Sequence, residues 1–281
     1  MSKIVYLNNK YLKYKDAKVH IEDRGLQFSD SVYEVVPFYN KKLIEFDFHI
    51  KRLKYSLNEL KININIEKNK YKKIFNKIIF LNKISSGIVY LQITRGVQPR
   101  DHAYEKNLKP NIIIYTIDRK LNLPNNNFKG EKAITYQDLR WKRRDIKSVS
   151  LLGNVIAKNE AIKKKCYEAI LVENGKITEA TASNVWIIKN KKLKTHPTNS
   201  DILKGITRES IKKIIKLNNL KLSEKSFTLK ELYGADEVFI TSSGNFVTPI
   251  IKIDKKIINK GKIGIITLQL AKIYTKINTD A

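Results

Sequence analysis

The stretch RDIKSVSLLGNVIAKNEAIKKKCYEAILVENGKITEATASN, residues 144–184, decides the fold. It predicts an extended segment ending near Lys147, then a helix, then a β-hairpin whose second strand ends near Glu179. The hairpin prediction depends on Asn174-Gly175, because both turn positions need the positive φ that this dipeptide tolerates. The stretch therefore predicts an amine at one strand end and a carboxylate, about thirty residues further on, at another.

The composition is typical of a globular chain with room for two domains. The chain has 281 residues, of which 42% are hydrophobic and 9% aromatic, and this length buries a substantial core. No apolar run is long enough to span a bilayer, and residues 1–15 lack the apolar block of a signal peptide. The single cysteine, Cys166, excludes a disulfide framework and suits the reducing cytosol. We therefore predict a cytoplasmic protein with no membrane partner and no metal site.

The net charge of +28 comes mainly from lysine. Nine of the 55 basic residues are arginine, so 46 are lysine, and they are spread through the chain beside many Ile and Asn. This pattern favours a coding bias, and we predict no nucleic-acid partner, although a basic nucleic-acid-binding module with salt-dependent binding is the rival class. An arginine in such a lysine-rich chain indicates a position that needs a planar guanidinium, which binds carboxylate or phosphate through two parallel hydrogen bonds.

The predicted fold class is α+β, with mixed sheets and flanking helices. Residues 1–119 form the predicted N-terminal α+β domain, and residues 131–281 form a C-terminal α+β domain that carries Lys147. Residues 120–130, with Pro124 and Gly130, are the predicted interdomain linker.

Local patterns predict the individual elements. Strands are predicted at 3–7, 11–12, 31–39, 43–48, 88–94, 111–117, 131–134, 168–173, 176–179, 185–188, 193–195, 237–241 and 246–253. Helices are predicted around Leu53, Leu57 and Leu60, at 71–81, along a stripe of Leu152, Val155, Ile156 and Ile162, at 208–218, and at 263–277.

Several short segments are candidates for binding phosphate. Such sites need backbone N–H groups at a helix start, a hydroxyl and preferably an arginine. Gly205-Ile206-Thr207 opens a helix with Thr207 as the predicted N-cap, the turn with Ser243 follows a strand, and Arg52 is the candidate fork. Taken alone, each piece is better explained by ordinary capping and turn chemistry.

Arg100 and His102 are candidates for binding a carboxylate. They lie two residues apart in a polar loop, and residues i and i+2 of an extended segment point to the same side. Tyr33, in a β-rich run, is a third candidate, although a strand tyrosine is more often part of a core.

Together these segments resemble the fold-type IV family of pyridoxal-phosphate-dependent aminotransferases, and most closely its D-amino-acid (D-alanine) transaminases. The resemblance runs in order along nearly the whole chain, through Glu22-Asp23-Arg24-Gly25, Val32-Tyr33-Glu34-Val35, His49-Ile50-Lys51-Arg52, Thr94-Arg95-Gly96, Asp145-Ile146-Lys147-Ser148, Cys166-Tyr167-Glu168-Ala169, Thr178-Glu179, Ser183-Asn184 and Leu203-Lys204-Gly205-Ile206-Thr207-Arg208.

The resemblance implies a two-domain enzyme with its active site between the domains and pyridoxal 5'-phosphate as cofactor. It implies that Lys147 forms the Schiff base and moves the substrate proton, that Glu179 pairs with the pyridine nitrogen, and that Leu203 packs on the ring. The implied phosphate contacts are Arg52, Ile206, Thr207 and Ser243. The implied substrate-carboxylate contacts are Tyr33, Arg100 and His102, the last two reaching in from the partner subunit of a homodimer.

The reaction implied is ping-pong transfer of an amino group from a D-amino acid such as D-alanine to a 2-oxo acid such as 2-oxoglutarate. Branched-chain aminotransferase and aminodeoxychorismate lyase are the alternatives of the same fold, and the Arg100–His102 pair is the discriminating feature. The chain departs from the family pattern at Ser31, at Ala180-Thr181-Ala182 and at Gly244-Asn245-Phe246, and these departures bear on side-chain preference and phosphate contacts.

Overall fold

The computed structural model describes residues 3–121, 123–125 and 128–279. The chain divides into two compact units, Met1–Leu121 with Ile146–Ser150, and Asn122–Asp145 with Leu151–Ala281. Across the described residues, no helix combines the length and the hydropathy that crossing a bilayer requires.

The elements of the first unit are β1 (Ile4–Leu7), β2 (Lys10–Lys13), α1 (Arg24–Phe28), β3 (Ser31–Tyr39), β4 (Lys42–Leu43), α2 (Phe46–Glu59), α3 (Lys68–Asn82), β5 (Gly87–Thr94) and β6 (Asn111–Asp118). The strands form a six-stranded antiparallel sheet with the order β2-β1-β6-β5-β3-β4. Helix α2 packs against β3, and α3 packs against β1 and β6.

Alternation along β3 sorts its side chains onto two faces. Val32 and Val36 are buried in the same core as Leu53 of α2 and Phe75 of α3. Burying side chains of this size stabilises the fold by roughly 1.5–3 kcal/mol each. Tyr33 points to the opposite face, because successive residues of a strand alternate.

The segment that carries Lys147 is an added edge of the first sheet. The N–H of Tyr33 donates to the carbonyl of Lys147 (3.0 Å), the N–H of Val149 donates to the carbonyl of Ser31 (3.1 Å), and Ser148 bridges to Val32. These bonds group Ile146–Ser150 with the first unit, whereas the sequence had assigned Lys147 to the C-terminal domain.

The domain bounds and the linker at 120–130 stay a prediction, and residues 122, 126 and 127 of that linker lie outside the described part of the chain. The extended segment that was expected before Lys147 is not found, since residues 138–147 contain no strand and make a turn at Arg144-Asp145. Lys147 instead pairs with β3, more than a hundred residues earlier, so the local sequence could not show this pairing.

The elements of the second unit are β7 (Glu131–Gln137), α4 (Leu152–Lys163), β8 (Glu168–Glu173), β9 (Lys176–Ala180), β10 (Asn184–Lys189), β11 (Lys192–Thr195), α5 (Ile206–Leu217), β12 (Lys221–Glu224), β13 (Phe227–Thr228), α6 (Leu229–Tyr233), β14 (Glu237–Ser242), β15 (Phe246–Ile253), β16 (Lys256–Ile257) and α7 (Ile265–Thr279). The strands form a ten-stranded sheet with the order β12-β11-β10-β14-β15-β7-β8-β9-β13, and β16 also pairs with β15. Three pairs are parallel (β11 with β12, β15 with β7, β7 with β8), so the predicted mixed sheet with flanking helices is confirmed.

The hairpin between β8 and β9 confirms the sequence prediction. Asn174 and Gly175 have φ of 49° and 72°, as a two-residue hairpin turn of this type requires. The turn fixes the position of β9, the strand that carries Glu179.

Two local predictions are wrong. The run 43–48 is not a strand beyond Leu43, because α2 starts at Phe46 and buries Phe46, Ile50 and Leu53 at helical spacing. Thr207 is not an N-cap, because α5 starts at Ile206 with Gly205 as its N-cap.

The apolar stripe of α4 exists, but it does not face the core of its own unit. Leu152, Val155 and Ile162 are exposed (73%, 51% and 59%), while the small side chains of Ala157 and Ala161 are buried. The helix lies close to its sheet through alanine and leaves its larger apolar side chains outside.

Candidate active site

Lys147 is held at the edge of β3 by main-chain and side-chain bonds. Besides the pairing with β3, its N–H donates to Oγ of Ser56 on α2 (3.1 Å). Its Nζ lies 4.2 Å from the centre of the Tyr33 ring. The structure thus brings together two predicted site residues, an amine and a tyrosine, through a cation–π contact.

Tyr33 is in turn placed by a chain of polar side chains on the same unit. Its ring stacks on Tyr90 with ring centres 5.8 Å apart, and the Tyr90 hydroxyl donates to Oε1 of Gln92 (2.9 Å). Nε2 of Gln92 donates to Oγ of Ser31 (3.1 Å), which is fully buried. The serine that departs from the family pattern is therefore linked to the tyrosine that was predicted to bind substrate.

Arg52 forms a fork with a buried carboxylate. Its Nε and Nη2 donate to Oε1 and Oε2 of Glu34 (2.8 and 2.9 Å), and Nδ1 of His49 lies 2.7 Å from Oε2. Burial alone would raise the pKa of Glu34, but Arg52 and His49 hold that pKa well below its usual range. Burial also lowers the pKa of His49 despite the neighbouring carboxylate.

Glu34 and His49 were missed as site residues. The sequence signal that could have found them is Glu34 itself, an acid on the apolar face of β3, because a buried acid needs a cationic partner.

Arg100 and His102 are brought together against one aromatic ring. The Arg100 guanidinium lies 4.5 Å from the centre of the Phe28 ring, and the His102 ring centre lies 5.4 Å from it. Both polar side chains are exposed, as residues that receive a substrate or face another subunit would be. Arg24, which sequence reasoning had not selected as a site residue, contacts the same ring.

Glu179 is a buried carboxylate, 4% exposed, with several donors directed at it. Nδ2 of Asn184 donates to it at 2.9 Å, the N–H of Leu203 donates at 3.2 Å, and Nη1 of Arg140 donates to Oε1. Burial raises the pKa of Glu179, and Arg140 and the Leu203 N–H oppose that rise. A carboxyl group with a raised pKa is a stronger base than an exposed glutamate, so it can hold a proton that it shares with a ring nitrogen.

Arg140 is divided between two acids. Its Nε and Nη2 donate to the two oxygens of Asp138 (2.9 and 2.8 Å), and Nη1 alone serves Glu179. Thr178 Oγ1 also donates to Asp138 (2.7 Å). Burial would raise the pKa of Asp138, but the bonds from Arg140 and Thr178 lower it.

The sequence had marked Arg140 only as one of nine scarce arginines. Its alternation with Asp138 was the signal that could have found the pair.

Three of the four predicted phosphate residues lie in the second unit, Ile206 and Thr207 at the start of α5 and Ser243 in a turn. No side chain caps α5, and the first N–H groups of a helix have no partner within it, so the Ile206 and Thr207 amides suit an anion. Thr207 Oγ1 lies 3.3 Å from the Tyr274 hydroxyl. Ser243 lies in the turn between β14 and β15, and α5 packs against β14.

One amide ties the Glu179 carboxylate to the segment that leads into α5. Nδ2 of Asn184 also donates to the carbonyl of Leu203 (2.9 Å), whose N–H reaches Glu179. A Cβ at Gly205 would overlap the Asn184 side chain, so this close approach requires glycine. The structure thus brings together Glu179 and Leu203, two of the predicted site residues.

Comparisons with known proteins identify the family of the chain. A D-alanine aminotransferase of Listeria monocytogenes is 42% identical over 279 residues, covering 99% of this chain and 96% of the relative. The fold matches branched-chain amino acid aminotransferase of Escherichia coli with a TM-score of 0.93 at 22% identity, over 100% of this chain and 96% of that one. It also matches the branched-chain enzyme of T.th. with pyridoxamine 5'-phosphate (TM-score 0.91, 22% identity, 98% and 94% covered). The model of the amino-transferase class IV family matches residues 31–253, and the chain therefore belongs to that family.

Proposed function

We propose that this protein is a pyridoxal-phosphate-dependent transaminase that moves an amino group between a D-amino acid, D-alanine above all, and a 2-oxo acid such as 2-oxoglutarate. The similarity to D-alanine aminotransferases over nearly the whole of both chains supports the substrate class. The buried Glu179 carboxylate with its convergent donors is the single observation that carries the reaction type.

The residues present fit the proposed cofactor in three chemically different ways. Lys147 offers an amine for an aldehyde, Glu179 offers a buried acid for a pyridine nitrogen, and the uncapped start of α5 offers N–H groups for a phosphate. Arg52 and Ser243 are the further phosphate contacts that we propose, and Leu203 is the residue proposed to pack on the ring.

When bound, the cofactor supplies an electron sink that makes the α-proton of an amino acid acidic. Lys147 Nζ would move the proton at the substrate α-carbon once the cofactor is held, and the ring of Tyr33 restricts where Nζ can lie. The Glu179 carboxylate would face the ring nitrogen of the cofactor and favour its protonated form, and Arg140 fixes the orientation of Glu179. Two half-reactions of this kind make a ping-pong cycle.

Substrate recognition falls to Tyr33, Arg100 and His102 in this proposal. A guanidinium and an imidazole on one side of a loop bind an α-carboxylate by charge and hydrogen bonds. An exposed polar pair of this kind favours an amino acid carboxylate over the apolar pocket of a branched-chain enzyme.

The assembly that we propose is a homodimer. The exposed stripe Leu152, Val155 and Ile162 on α4, and the exposed Ile21 and Leu26 in the first unit, are large apolar side chains of the kind that a second copy covers. Light scattering of the purified protein would test this, and a monomer at micromolar concentration would contradict it.

One assay tests the proposed activity. Purified protein with pyridoxal phosphate and 2-oxoglutarate is expected to form pyruvate from D-alanine and not from L-alanine, and to be slow with L-leucine. Preference for L-leucine would favour the branched-chain alternative, and pyruvate released from aminodeoxychorismate in the absence of any oxo acid would favour the lyase.

A matched pair of lysine variants links the activity to the site. Lys147→Ala is expected to abolish turnover, because it removes the amine that we propose moves the proton, and to lose the cofactor label that borohydride reduction fixes to the protein. Lys142→Ala removes an exposed lysine that pairs with Glu173, and it is expected to keep both. A label that persists in Lys147→Ala would reject the proposed amine.

A further inference from the structure

Arg24 clamps the main chain of the loop that carries Arg100 and His102. Its Nη1 donates to the carbonyls of Asp101 (2.6 Å) and Ala103 (3.4 Å), and its Nη2 donates to the carbonyl of His102 (3.0 Å). The arginine is 3% exposed and is the first residue of α1. Three successive carbonyls are thus held by one rigid guanidinium.

The last residue of α1 supports the side chains of the same loop. The Phe28 ring lies 4.7 Å from the Arg24 guanidinium, 4.5 Å from that of Arg100, and 5.4 Å from the His102 ring centre. A cation over an aromatic face loses orientational freedom. One short helix therefore contacts both the backbone and the two polar side chains of the loop.

The charge of Arg24 is balanced inside the fold, which leaves its other nitrogens for the loop. Nε donates to Oδ2 of Asp30 (3.0 Å), and Arg95 binds the same carboxylate through Nε (2.6 Å) and Nη2 (3.0 Å). Arg95, however, spends its remaining donors on the carbonyls of Leu60 and Lys61. The two arginines share an acid and differ in which backbone they hold.

We infer that Arg24 and Phe28 are positioning residues for carboxylate recognition, acting through Arg100 and His102. The inference rests on the proposed function, because it takes the Arg100–His102 pair to bind the substrate carboxylate. A loop with free carbonyls would have to be ordered by each substrate molecule, and that cost appears as weaker binding. A lysine at position 24 keeps the charge but cannot reach three carbonyls and Asp30 with one ammonium group.

The test compares Arg24→Lys with Arg95→Lys in the holoenzyme. Arg24→Lys is expected to raise KM for D-alanine about tenfold, with kcat changed less than about threefold, because only ground-state and transition-state carboxylate binding is lost. Arg95→Lys removes an equally buried fork from the same Asp30 and keeps a cation near the Tyr104 ring, so its KM is expected to stay near wild type. Cofactor absorbance and thermal melting are recorded for both variants.

A double-variant cycle separates positioning from general damage. If Arg24 acts through Arg100, Arg24→Lys is expected to lower kcat/KM by less than about twofold in an Arg100→Leu background. An equal fall in both backgrounds overturns the inference. Should Arg24→Lys fail to fold, Phe28→Leu decides, because it keeps the clamp and is expected to raise KM about threefold through the lost ring contact.

Wild-type KM in both Arg24→Lys and Phe28→Leu, with D-alanine turned over by the wild-type protein, overturns the inference alone. A wild-type protein that does not transaminate D-alanine overturns the proposed function as well.

Discussion

Two buried glutamates, one in each unit, are paired with arginine and yet differ in their acidity. Glu34 of the first unit has both nitrogens of the Arg52 fork and a histidine, and its pKa is held far below the usual range. Glu179 of the second unit has one nitrogen of Arg140, and its pKa stays raised because burial outweighs the opposing contacts.

The difference shows that the pKa of a buried acid depends on whether its arginine also serves a second acid. Arg140 gives two of its nitrogens to Asp138, and the negative charge of Asp138 also raises the pKa of Glu179. Glu34 is neutralised by its own partners and is suited to holding Arg52 in place. Glu179 remains basic and is suited to holding a proton.

The largest expected effect is on turnover, at Glu179. Glu179→Gln is expected to lower kcat for D-alanine by roughly 10²–10⁴-fold, the range for loss of a positioned acid–base group, because an amide cannot keep a ring nitrogen protonated. Steady-state kinetics of the two half-reactions would measure it.

The matched control for that loss is Glu173→Gln. This variant removes a half-buried acid of the same unit that is paired with Arg144 and Lys142. Its kcat is expected to stay within about threefold of wild type, in the range of changes away from the reacting atoms. If both variants lose the same turnover, the special role of Glu179 is rejected.

A smaller effect, on stability, is expected at Glu34. Glu34→Gln removes the carboxylate that the Arg52 fork and His49 contact, and breaking a buried pair costs about 3–5 kcal/mol of unfolding free energy at neutral pH. Because the folded-state pKa of Glu34 is lowered, its stabilisation is present above the ordinary glutamate pKa of about 4.3 and is lost as pH falls below it. The variant should therefore lose stability less steeply in acid, by up to about 1.4 kcal/mol per pH unit.

Urea unfolding at several pH values between 3 and 7 measures this slope, with the exposed Glu67→Gln as the control. Parallel curves for wild type and Glu34→Gln would contradict the assignment of the acid-dependent stability to Glu34.

The smallest expected effect sharpens the comparison at Asp138. Asp138→Asn gives Arg140 a single charged partner, so the pKa of Glu179 should fall toward the behaviour of Glu34. The acid limb of the pH dependence of kcat is therefore expected to move to lower pH, while kcat at neutral pH changes by less than about threefold. Steady-state kinetics between pH 5 and 9 measure this limb, and an unchanged pH profile would show that sharing of Arg140 is not what keeps Glu179 basic.

The parts of the fold that the sequence predicted are those set by neighbours along the chain. The turn at Asn174-Gly175 was recognised because positive φ at two adjacent positions is a local requirement. The start of α2 was misread as a strand, because the apolar residues Phe46 and Ile50 fit helical spacing as well as a β-rich run, and only packing against β3 distinguishes the two.

For the candidate site, the sequence picked out the amine, the acid and the scarce arginines, and the class IV family is confirmed. The roles of Lys147, Glu179 and the remaining site residues stay predictions. Glu34, His49, Asp138 and Arg24 were not selected as site residues, because each acts through partners that are distant in the chain or are reached only by side-chain geometry.

The amino-acid sequence by itself determined the family, the hairpin that presents Glu179, and the presence of a lysine and an arginine–histidine pair, since these depend on residue type and short spacing. Only the tertiary structure decided how the fork of Arg140 is divided, that Lys147 lies along the edge of β3, and that Arg24 holds the carbonyls beside Arg100. The physical reason is that a guanidinium has several donors and a strand edge has many potential partners, and long-range packing selects among them.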